Sequence, residues 1–131
     1  MSLTPSLTAM TLMESSLVVS VSGDWDEDYL QALQQALILR LKQSDAKGLI
    51  LDLGTVSSID SLFVRTLVDT SRMASLLGIR SRISGINPGV AASIIALDLD
   101  CRGLVFERSI DDARTALSKS SAHLSSSSNG R

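Results

Sequence analysis

Six residues, Gly48-Leu49-Ile50-Leu51-Asp52-Leu53, restrict the folds open to this chain more than any other stretch. A nearly continuous aliphatic run of this length marks a strand covered on both faces, as in a parallel sheet. Such a strand needs helices packed above and below it. The material for that core is aliphatic: 44% of the 131 residues are hydrophobic, while aromatics make up only 3%. The length fits one domain.

The rest of the chain supplies the helices and the other strands. Ala9–Met13 and Leu17–Ser22 read as two strands joined by a tight turn, hence a hairpin. Asp24-Trp25-Asp26-Glu27-Asp28 is an acidic helix start, which suits the positive end of the helix dipole. From about Glu27 to Gln43, Leu30, Leu33, Leu37 and Leu41 recur at three- and four-residue steps and form a buried stripe. A second helix is expected from about Asp60 to Leu77, with Phe63, Leu67, Ala74 and Leu77 facing the core. Gly78 stops it. Arg80–Ser84 is a weaker strand. Asn87-Pro88 marks a third helix start, running to about Leu97. Leu104–Phe106 reads as a short last strand, and a fourth helix follows from Ser109 to about Ser118. Residues 1–8 read as a flexible N-terminal arm, 9–119 as the domain and 120–131 as a disordered tail with six serines.

Alternating strands and helices after a hairpin imply an α/β fold, with a mostly parallel central sheet of about five strands and four helices. Ligands and partners of such sheets meet the loops at the carboxyl ends of the strands. Three loops gather there: 23–26, 54–61 and 85–89. The middle one ends in Asp60-Ser61 at the start of a helix, where unpaired N–H groups and the dipole favour an anion. Ser61 is therefore a candidate phosphoacceptor, although serine at a helix start is ordinarily a cap. Leu62, Arg65, Asp69, Arg72 and Leu76 fall on the outer face of that helix and suit a protein-binding surface. Ser84 and Ser93 are further serines that nothing in the pattern singles out.

Composition narrows the alternatives. A net charge of −2 argues against nucleic acid or an anionic membrane as partner. One cysteine, no signal-peptide-like start and no apolar run near membrane-spanning length point to a soluble cytoplasmic protein. Enzyme readings run short of parts. The single histidine, His123, lies in the serine-rich tail, and Cys101 has no evident activator. No metal-spaced cysteine or histidine set exists, and the acids of 24–28 suit a solvated helix start better than a cation site. A small nucleotide-binding or receiver-like α/β domain is the more distant reading. The first lacks a phosphate loop with lysine, and the second finds only Glu107 and Arg108 after the last strand.

Asp52-Leu53, a six-residue spacer, then Asp60-Ser61 resembles the pattern of STAS domains, the family of bacterial anti-sigma-factor antagonists. Ile83-Ser84-Gly85-Ile86-Asn87-Pro88-Gly89-Val90-Ala91 is similar to the strand and loop before that family's third helix. The resemblance runs from about Ala9 to Lys119. The bulky Leu62-Phe63-Val64-Arg65 after the serine looks like the stressosome-scaffold (RsbS-type) branch rather than the SpoIIAA type. The resemblance implies a STAS (SpoIIAA-like) fold and a non-enzymatic role without cofactors. It implies a scaffold that sequesters a serine-protein switch kinase together with a larger STAS co-antagonist of the RsbR type, in a homo- or hetero-oligomer. Phosphorylation at Ser61 would release the kinase, and a serine phosphatase would reset the site. Asp24, Asp26, Ser58, Asp60, Leu62, Arg65, Asp69 and Asn87 are the residues expected to contact partners. A direct antagonist that binds an anti-sigma factor is the alternative within the family.

Overall fold

The structure, a computed structural model, describes residues 9–129. The expected N-terminal arm, residues 1–8, lies outside the described residues. Strand β1 (Met10–Met13) and strand β2 (Ser16–Ser20) form the hairpin, paired antiparallel from Met10↔Val19 to Met13↔Ser16. Helix α1 (Glu27–Gln43), strand β3 (Gly48–Asp52), helix α2 (Ser61–Leu76), strand β4 (Arg80–Ser84) and helix α3 (Pro88–Ala96) follow in alternation. Helix α4 (Ile110–Asn129) closes the described chain. The sheet order is β1-β2-β3-β4, with β2, β3 and β4 parallel.

The aliphatic run does what its composition requires. Leu49, Ile50, Leu51 and Leu53 are all buried. Alternation sends them to two different cores. Leu49 and Leu51 join Leu17, Val19 and Ile83 beneath α1 and α2. Ile50 joins Val18 beneath α4, against Ala113 and Leu117. The second core is thin, and its margin is polar. Arg82, in register with Ile50, reaches Glu107 at 3.4 Å. Arg114 of α4 is paired with Glu14 in the hairpin turn.

Three expectations need correction. The fifth strand shrinks to a single parallel bridge between Ile83 and Phe106. Two backbone bonds hold it, Ile83 N–H to Val105 O and Glu107 N–H to Ile83 O. Only those few residues lie along β4 before Ser109 turns the chain into α4, capping it through the Asp112 N–H. Leu77 does not reach the core and is 43% exposed. It is the C-cap of α2, already out of helical register, and Ile79 fills the core position instead. Finally, α4 carries helical backbone past Ser118 into the serine-rich stretch from residue 120 onward. Serine costs only a few tenths of a kcal/mol per residue in a helix that is already nucleated.

The leucine stripe of α1 is the part of this core that periodicity defines most directly. Leu37 is 1% exposed and Leu39, two residues on, is 53% exposed. Leu37→Ala is expected to destabilise the domain by about 2–5 kcal/mol. Leu39→Ala is expected to stay within about 0.5 kcal/mol. Urea denaturation of the two variants checks both.

Candidate functional site

Because β2, β3 and β4 are parallel, the loops that follow them emerge at one end of the sheet. The β3–α2 loop is the middle one, and its neighbours grip it from both sides. From the β2 side, the Trp25 indole N–H donates to Ser58 O at 3.2 Å, and the Thr55 hydroxyl donates to Val21 O. From the β4 side, the Asn87 amide donates to Val56 O at 2.7 Å and to Leu53 O at 3.3 Å. The Ser93 hydroxyl accepts from the Ile59 N–H. Two glycines make this closeness possible. A Cβ on Gly23 would lie 2.4 Å from Thr55 O, and one on Gly89 would lie 2.1 Å from Ser57 O.

The loop delivers Ser61 to the first helical position of α2, exposed to solvent. Asp60 is the N-cap, its carboxylate accepting from the Phe63 N–H at 2.9 Å. Phe63 is fully buried and its ring lies 4.8 Å from that of Trp25. The start of α2 is thus pinned from inside by an aromatic pair and capped from outside by a carboxylate, with Ser61 left exposed.

The residues singled out in the sequence fall into two groups. Asp24, Asp26, Ser58, Asp60, Arg65 and Asp69 are exposed, and Leu62 is half-buried. Asp26 is also the α1 N-cap, accepting from the Tyr29 N–H. Asn87 is different: its oxygen caps α3 at the Val90 N–H while its nitrogen holds the β3–α2 loop. Its side chain is committed inside the protein. Ser84 is fully buried, donating to the Asp52 carboxylate at 2.8 Å. Asp52 also accepts from the Gly54 N–H. Sequence reasoning missed Trp25 and the Asp52–Ser84 pair. A lone tryptophan in an aromatic-poor chain was the available signal for the first.

Beside Ser61, an open groove of about 750 Å³ runs between α2 and residues 97–103. Arg65, Asp69 and Arg72 line one wall, and Asp98, Asp100 and Arg102 the other. Arg102 binds Asp100 at 2.7 and 2.9 Å through two guanidinium N–H groups. Those bonds, with the Arg102 backbone N–H, lower the Asp100 carboxyl to about 2. Burial pushes the neighbouring Cys101 thiol up, and the Asp100 charge adds to it, so the thiolate is disfavoured. Burial also raises the Tyr29 phenol, against a smaller opposing pull from the Ser22 N–H that donates to it at 2.9 Å. Among the described residues, no group of three or more histidine, cysteine or acidic side chains could hold a metal ion. No described helix is long and apolar enough to cross a membrane.

Asn87→Ala removes a cap and two loop bonds at once. It is expected to cost about 1–3 kcal/mol. Amide exchange across residues 54–60 is expected to accelerate while that of β3 does not. Equal acceleration in both would place the loss elsewhere.

Comparison with known proteins agrees with this fold. A family model described as "Mlab, STAS domain" matches residues 9–105. The RsbT co-antagonist protein RsbRB of Bacillus subtilis is 23% identical over 104 residues, which is 79% of this chain and 38% of that protein. The chain therefore spans well under half the length of that relative. RsbS of Moorella thermoacetica, solved as a serine-to-glutamate variant, superposes with a TM-score of 0.72 at 23% identity, covering 86% of this chain and 96% of that one. A chain from a structure of the stressosome, described as a signal integration and transduction hub, also gives 0.72, at 24% identity, covering 86% and 97%. At these identities the superpositions establish the fold. The four helices, the mixed sheet and the family match agree: the chain belongs to the STAS domain family.

Proposed function

We propose that this chain is a non-catalytic regulatory scaffold whose Ser61 is the phosphoacceptor of a serine-protein kinase. The unphosphorylated protein holds the kinase, and phosphorylation releases it. The observation that carries this reading is the placement of Ser61. Ser61 is exposed at the first position of α2, on a loop braced from both sides, with an open groove of about 750 Å³ beside it. A kinase needs an accessible hydroxyl, and a partner needs a surface that keeps its shape. Support also comes from the relatives: one is described as a co-antagonist of RsbT, and another belongs to a stressosome structure. Under this reading, the chain assembles with a larger STAS co-antagonist, acts in the cytoplasm within a stress-signalling pathway, and is reset by a serine phosphatase.

The switch is electrostatic. Phosphate adds about −1.5 to −2 charges at neutral pH. Asp24, Asp26 and Asp60 are exposed acids of the same end of the sheet. An interface centred on Ser61 would then meet like charge, and would have to bury a dianion. No movement of the sheet is required. Asp24, Asp26, Ser58, Leu62, Arg65 and Asp69 remain the proposed contacts. Asp60 contributes chiefly as a cap, and Asn87 acts by holding the loop.

Incubation with the cognate kinase and ATP, followed by mass spectrometry, is expected to find phosphate on Ser61; modification elsewhere with Ser61 untouched rejects the proposal. Ser61→Asp is expected to weaken kinase binding at least tenfold, about 1.4 kcal/mol, with unchanged thermal stability. Titration calorimetry reads this, and unaltered affinity removes the repulsion argument. Native mass spectrometry of the assembly distinguishes the two roles within the family. A large multi-chain particle favours the scaffold, and a small complex with a single partner favours an anti-sigma-factor antagonist.

A further inference from the structure

We infer that Arg65 closes on the phosphate of phosphorylated Ser61 and holds it against this chain's own surface. The inference rests on reading Ser61 as the phosphoacceptor. Ser61 and Arg65 are four residues apart on α2 and line the same groove. Side chains at that spacing are neighbours, with Cβ atoms about 5–6 Å apart, and an acid preceding a base by four is the favourable order. A phosphate at 61 and a guanidinium at 65 meet both conditions. The guanidinium fork also matches phosphate oxygens in a bidentate way that an ammonium does not.

The charges around Arg65 make it available. Among the described residues, the ion pairs are Arg82–Glu107, Arg102–Asp100, Arg108–Asp112, Arg114–Glu14 and Arg114–Asp111. Arg65 is in none of them, although Asp69 lies one turn further along the same helix. Across the groove, Arg102 is occupied by Asp100, and Asp98 is exposed. Arg72 is eleven residues from Ser61, about 16 Å along the helix axis, and too far to share a phosphate there. The Asp60 carboxylate takes one donor of the α2 N-terminus, the Phe63 N–H, and sets a like charge beside any phosphate at Ser61. A guanidinium at position 65 offsets the Asp60 charge and adds to what the helix N-terminus offers the dianion.

The consequence is a second arm to the switch. In the unphosphorylated chain Arg65 is exposed beside the groove and open to a partner's carboxylates. After phosphorylation it is bound to the phosphate. Modification adds negative charge and at the same moment withdraws a positive contact.

The test uses the full chain with phosphoserine installed at position 61 during translation, so no kinase is needed. Titration followed by phosphorus-31 NMR reads the second ionisation of the phosphate. That midpoint is expected about 0.3 unit or more lower in the otherwise native phosphoprotein than in its Arg65→Gln variant. Arg72→Gln is expected to leave it in place. The Arg65 Nε–H resonance is expected to shift in step with the phosphate. Equal midpoints with and without Arg65, or an equal displacement by Arg72→Gln, overturn the inference. Failure of Ser61 as a kinase substrate would appear in the mass spectrum described above and would leave this measurement unaffected.

Discussion

The β3–α2 loop makes almost no backbone hydrogen bonds to itself, and the end of the molecule depends on how that deficit is met. Between Leu53 and Asp60, the only internal backbone bond is Val56 N–H to Leu53 O. Backbone polar groups near a packed core must find partners. Here Asn87, Ser93 and Trp25 provide them from two other segments, and Asp52 from the end of the strand just before the loop. The loop is rigid because its neighbours bind it, and its neighbours are oriented because they bind it. Ser61 inherits its position from that mutual arrangement rather than from any contact of its own.

The two faces of the sheet carry different loads. The α1–α2 face holds the large aliphatic core, and the loops of the rim are extensions of that core: Val56, Ile59 and Phe63 belong to it. The α4 face is held by Val18, Ile50, Ala113 and Leu117, with ion pairs at its margin. Disturbance of α4 therefore reaches the serine only through the sheet, whereas disturbance of α1 or α2 reaches it directly. A phosphate at Ser61 would act on the surface of the better-packed half, where added charge changes what can bind without changing the fold.

Much of this was legible from residues alone, for local reasons. The α1 leucines recur at helical spacing, and all four are buried. Asp26, Asp60 and Asn87 stand before helix-forming runs, and each accepts from an N–H three residues on. Such signals are complete within a few residues of chain. What escaped is long-range. Nothing near Asn87 says that its amide nitrogen spans more than thirty residues to reach Val56 O. Nothing near Asp52 announces Ser84, because the pairing depends on strand register. Leu77 misled because helical angles were extended one residue beyond the helix. The strand at Leu104–Phe106 misled because composition cannot report that the chain turns away after a single bridge.

Trp25 is the chain's sole tryptophan. Its indole donates to the carbonyl of Ser58, and its ring rests on Phe63. Ultraviolet emission excited above the tyrosine band will therefore come from one spot, against residues three before and two after the serine. The molecule carries a built-in optical probe beside the start of α2, readable in solution with no dye attached.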